Sequence, residues 1–101
     1  MKPIFEYTGM EERPETKTVH IYVLLRFEPN IMTMPFATLE IVAKENQFMF
    51  GTDTYNVINS KTMHSLAANY GIQGIEVLKA AVEYLKNECH QTRLLFVTGA
   101  I

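Results

Sequence analysis

The sequence predicts an α+β fold: an antiparallel or mixed sheet of about four to five strands, with a short and a long helix packed on one face. Three observations predict it. From Thr18 to Glu28, Val19, Ile21, Val23, Leu25 and Phe27 alternate with His20, Tyr22, Leu24, Arg26 and Glu28, the period of two of a strand with one buried face. From Phe36 to Lys44, Ala37, Leu39, Ile41 and Ala43 alternate in the same way with Thr38, Glu40, Val42 and Lys44. From Ile72 to Cys89 the apolar residues instead recur at about 100° per residue, which is helical. The 101 residues suit a single domain, 1–101, long enough to bury about two-thirds of the unfolded surface.

Taken in order, residues 3–8 suit a short edge strand and Gly9 to Lys17 a polar connection, its Glu11-Glu12-Arg13-Pro14-Glu15-Thr16-Lys17 charge cluster reading as a solvated loop. The strand from Thr18 stops at Pro29, which cannot donate to a ladder, and Pro35 precedes the next strand. A hairpin with a seven-residue loop, 29–35, joins the two. Glu45-Asn46-Gln47 marks a turn, Phe48-Met49-Phe50 the start of a further strand, Gly51-Thr52-Asp53 another turn, and Tyr55 to Ile58 one more strand.

Ser60 is a suitable N-cap for a helix through Tyr70, with Gly71 as its stop. In the long helix that follows, Ile75, Val77, Leu78, Ala81, Val82, Tyr84, Leu85 and Cys89 cover one half of the cylinder, and Glu76, Lys79, Glu83, Lys86 and Asn87 the other. Arg93 to Thr98 holds the continuous run Leu94-Leu95-Phe96-Val97, which suits an interior strand.

Composition narrows the function classes. Nine Lys and Arg stand against eleven Asp and Glu, a net charge of −2, so charge alone draws the chain to neither phosphate backbones nor anionic membranes. No apolar run reaches the roughly 20 residues that span a bilayer. Residues Met1 to Tyr7 lack the apolar core of a signal peptide. With one cysteine, Cys89, neither an internal disulfide nor a cysteine-rich zinc site is expected, and a cytoplasmic setting is the simplest expectation.

Catalytic and cofactor chemistry find little support. Cys89 and His90 are adjacent, so on one helix their side chains diverge by about 100° and form no dyad. Cys89 lies on the apolar face and reads as a small buried hydrophobe. His20, His64 and His90 lack metal-ligand spacing, and no phosphate-binding glycine loop or HExxH arrangement occurs. No cofactor, metal or enzymatic activity is therefore expected.

The expectation is a small non-enzymatic protein acting through protein contacts, as a regulator or inhibitor of another protein or by self-association. Its contacts are assigned to Ile31, Met32 and Met34, three large apolar side chains in a loop between two prolines, with Tyr22 and Arg26 as polar anchors.

Two alternatives remain. The spacing over residues 60–88 resembles a helix-turn-helix, with Ala67 at the close approach, Gly71 and Ile72 in the turn, and Val77 and Ala80 inward. A DNA reader needs cations, however, and the second helix sets Lys79 and Lys86 against Glu76, Glu83 and Glu88. The other alternative is a small-ligand or catalytic module on the strand face of His20, Tyr22 and Arg26, where Arg26 would bind an anion. The competing structural reading pairs Arg26 with Glu40 across the hairpin.

Overall fold

The computed structural model describes residues 2–28, 37–45, 47–51, 68, 71 and 73–99. Four antiparallel strands, β1 (Lys2–Arg13), β2 (Thr18–Glu28), β3 (Ala37–Lys44) and β4 (Gln47–Phe50), form a sheet in chain order, and two helices follow, α1 (Gly74–Asn87) and α2 (His90–Thr98). The α+β class is as the alternating and helical periods require.

Alternation along β2 decides the buried face. Ile21, Val23 and Leu25 are wholly enclosed, and Val19 and Phe27 nearly so. Leu39, Ile41 and Ala43 of β3 join them, as do Val77, Ala81 and Leu85 of α1, in one core cluster. Buried positions at 77, 81 and 85 form a single stripe along the helix. Glu76 in the first turn and Lys86 in the last complement the helix dipole. Tyr84 stacks on Phe5 of β1 at 5.8 Å between ring centroids, and Phe96 of α2 stacks on Phe48 of β4 at 5.5 Å.

β1 is longer than the sequence suggests, because Gly9 sits in a β-bulge and not in a loop. The pairing runs Tyr7↔Val23 and then Gly9↔Tyr22, so Thr8 is the extra residue. Its hydroxyl donates to the Tyr22 carbonyl at 3.0 Å, which holds the irregularity in place. Beyond the bulge Glu11 to Arg13 continue the strand, and Pro14–Lys17 makes the turn, with Lys17 at φ 56. Glu45, at φ 52, begins the tight connection that closes Lys44 onto Gln47.

β1 is an exposed edge, and the molecule blunts it. Tyr7 donates its backbone N–H to the Tyr84 hydroxyl at 3.0 Å, so α1 closes one edge donor, while Pro3 four residues earlier offers none.

The C-terminal segment corrects the sequence reading. Residues 93–98, expected as an interior strand, belong to α2. An apolar run without a period is compatible with either state, and here local signals decide. Cys89 adopts an extended conformation that breaks α1 from α2, and Gly99 ends α2 at φ 71 with its N–H on the Leu95 carbonyl. Thr92, wholly buried, donates its hydroxyl to the Leu85 carbonyl at 2.6 Å and lies 3.4 Å from that of Cys89. That bond ties the end of α1 to the start of α2.

The long helix is correspondingly shorter than Ile72 to Cys89. Cys89 is nonetheless buried, as its apolar setting suggests, with its thiol on the Gln91 side-chain oxygen at 3.4 Å. Ile75, placed by sequence on the apolar half, is 56% exposed. The strand expected at 55–58 and the helix expected at 60–70 lie outside the described residues, apart from Ala68, which is helical, and Gly71, which adopts the left-handed conformation expected of a helix stop.

Candidate functional site

Of the five contact residues assigned from sequence, Ile31, Met32 and Met34 lie outside the described residues. Tyr22 and Arg26 lie on the outer face of β2, away from the core, each half-buried. The register separates them. Tyr22 stands opposite Glu40 on β3, whereas Arg26 lies further along β2, opposite Ile4 of β1. The Arg26–Glu40 cross-strand pair is therefore not the one this register builds.

Glu40 gathers a polar cluster instead. Its Oε2 accepts from His20 Nδ1 at 3.0 Å and from the Tyr22 hydroxyl at 3.2 Å. His20 Nε2 lies 3.1 Å from Thr18 Oγ1, which lies 2.6 Å from Thr16 Oγ1. An ionised carboxylate only accepts, so His20 gives its Nδ1 proton to Glu40. In neutral His20, Nε2 then accepts from Thr18, and Thr18 from Thr16. Protonated His20 reverses the hydroxyls, and Thr16 ends the chain on the Arg13 carbonyl at 3.3 Å. Either charge state is thus hydrogen-bonded throughout.

Burial first, and the Glu40 hydrogen bond and charge second, push the Tyr22 phenol above its ordinary value. Gly51 makes room for this cluster: its N–H donates to the Glu40 carbonyl at 2.8 Å, and a Cβ there would overlap the Glu40 carboxylate. Beside Thr18 a depression of about 240 Å³ presents Glu12, Arg13 and Lys17, a set of mixed charge. Among the described residues no group of three or more His, Cys, Asp or Glu side chains is placed to hold a metal ion.

The second surface is apolar and lies on the helices. Thr92 is the one buried side chain of α2; Leu94 is 66% exposed and Val97 77%. These two residues, three apart, share one side of the helix. Between α1 and α2 a shallow depression of about 390 Å³ is lined by Lys86, Asn87, Arg93, Phe96 and Val97. Arg93 is held there by the bond from its Nη2 to the Asn87 carbonyl at 2.8 Å. Sequence reasoning missed this surface because a buried strand would have hidden all four residues of the 94–97 run; Gly99, a good helix stop, was the available signal.

The helix-turn-helix pattern is only partly within the described residues. Its second helix, α1, buries Val77 toward the core and exposes Glu76, Lys79, Glu83 and Lys86, charges of both signs. No described helix is long and apolar enough to cross a membrane. Comparison of the chain with protein-family models, with curated proteins and with solved structures finds no match.

Proposed function

We propose that this chain works by binding another protein, as a regulator or inhibitor, and that the outer side of α2 makes the contact. The observation that carries the reading is the exposure of Leu94 and Val97 on a helix with no fully buried apolar side chain. Small domains gain stability by covering such residues, and apolar side chains grouped on one side and left in water are characteristic of contact surfaces. Full burial of a leucine or valine is worth roughly 1.5–3 kcal/mol. Scaled by exposures of 66% and 77%, a partner that covers both gains about 2 to 4 kcal/mol. Ile31, Met32 and Met34 belong to the same reading on sequence grounds alone.

Affinity capture with the purified chain as bait tests it, run beside L94S/V97S and beside T38A on the opposite sheet face. A stoichiometric protein held by the wild type and T38A and lost from L94S/V97S is the expected result. A partner that L94S/V97S holds equally well would refute the assignment to α2.

One observation favours a second reading. Thr18, His20 and Glu40 stand in series, the order of hydroxyl, base and orienting acid in nucleophilic catalysis. On that reading His20 takes the Thr18 proton as Oγ1 attacks an activated ester, and returns it to the leaving alcohol. Acylation of Thr18 by p-nitrophenyl acetate, read as a mass adduct absent from T18V and H20Q, is the test; an unmodified Thr18 excludes this reading.

A further inference from the structure

Resting on the proposed α2 contact, the charges around that surface narrow the chemistry of what binds. Lys86 and Arg93 rim the depression whose apolar wall is Phe96 and Val97. Among the described residues neither cation makes an ion pair; the two ion pairs are Arg13–Glu11 and His20–Glu40. Glu83, one turn before Lys86, is engaged by the Asn87 amide at 2.7 Å. The Arg93 guanidinium spends one bond on the Asn87 carbonyl, which fixes its position and leaves further N–H donors for an incoming acceptor. The sequence of α2, HQTRLLFVT, holds no acidic residue.

A chain with a net charge of −2 therefore sets two cations that have no carboxylate partner among the described residues beside Val97, the most exposed large apolar side chain among them. A second copy of the chain is a poor occupant. Pairing through the same patch brings Lys86 and Arg93 toward their own counterparts, with no carboxylate on α2 to offset them.

We infer that the depression between α1 and α2 receives an acidic, leucine-rich segment of a partner protein, with a carboxylate between Lys86 and Arg93 and an apolar side chain against Phe96 and Val97. The carboxylate can meet the guanidinium through charge-assisted hydrogen bonds, and the apolar anchor displaces water from the wall.

The test uses the full chain and three short fluorescent peptides of equal length: glutamate with leucine, lysine with leucine, and glutamate with serine. Fluorescence anisotropy reads their binding at low and at high salt. The glutamate–leucine peptide is expected to bind best, to weaken with salt, and to bind K86E/R93E about tenfold more weakly. Amide hydrogen exchange on K86E/R93E, unchanged in α1 and α2, shows that this loss is not unfolding.

If the lysine–leucine peptide binds as well, the charge inference is wrong while the apolar contact stands. If the glutamate–serine peptide binds as well, the surface is a bare anion site and the apolar contact of the proposed function fails. Binding of none of the three overturns the inference.

Discussion

Replacing Thr92 by valine should destabilise the protein even though it preserves volume and buries no new polar atom. The hydroxyl lies in a wholly buried side chain and donates to the Leu85 carbonyl at 2.6 Å, in the last turn of α1. Carbonyls in that turn lose their helical partners, and the backbone N–H of Cys89 goes to Tyr84, not to Leu85. Valine therefore leaves the Leu85 oxygen short of a donor in the core, at a cost of roughly 1–3 kcal/mol. For a domain of this size each kcal/mol moves the melting temperature by about 4–8 °C, so T92V should melt between about 4 and 24 °C lower. Urea unfolding should show a lower midpoint with an unchanged slope. Serine keeps the hydroxyl and loses a methyl, a loss of about 0.8 kcal/mol for the group removed. A T92V protein as stable as wild type, with T92S destabilised, would refute the reasoning: the methyl would then hold the junction and the hydroxyl would not.

Three further outcomes follow from the sheet. In Y84F the Tyr7 amide loses its acceptor, at about 0.5–1.5 kcal/mol, and should exchange faster with solvent while the Val23 amide is unchanged. Burial lifts the Tyr84 phenol above its unfolded value. A raised folded-state value favours the neutral form, so this contribution is intact below about pH 10 and is lost as pH rises beyond it; Y84F should show a flatter alkaline decline in stability. E40Q should lower the ultraviolet titration midpoint of Tyr22 without restoring its ordinary value, because burial, the larger cause, remains. G51A should expel the Glu40 carboxylate and cost about 1–3 kcal/mol, and adding G51A to E40A should cost much less than G51A alone.

How much of this was legible in the sequence depends on how each element carries its signal. β2 and α1 were readable because each pairs one period with one buried face: Ile21, Val23 and Leu25 at spacing two, Val77, Ala81 and Leu85 at spacing four. Faces were readable where partners were not. A seven-residue loop would set Glu28 against Phe36, whereas the observed register sets Leu25 against Ala37. That displacement by two residues keeps every side chain on its face but sets Tyr22, in place of Leu24, opposite Glu40 and carries Arg26 farther from it. The His20–Tyr22–Glu40 cluster thus contains two residues singled out in advance, joined by one whose partner depends on register.

α2 was illegible for another reason. Leu94 to Val97 has no period, and the helix is decided by Cys89, Thr92 and Gly99, which act through backbone geometry and one buried hydroxyl. The proposed contact surface was hidden by the same misreading, since a strand at 93–98 would have buried Leu94 and Val97. Gly9 misled in the opposite sense: a glycine in a strand marks a bulge as readily as a loop.

The most direct test of the account places a photo-crosslinking amino acid at Val97, and separately at Thr38 on the opposite sheet face, in cells making the full chain. A discrete protein adduct is expected on irradiation from position 97, weakened by K86E/R93E, and none from position 38. Equal adducts from both positions, or an adduct from position 38 alone, would contradict it.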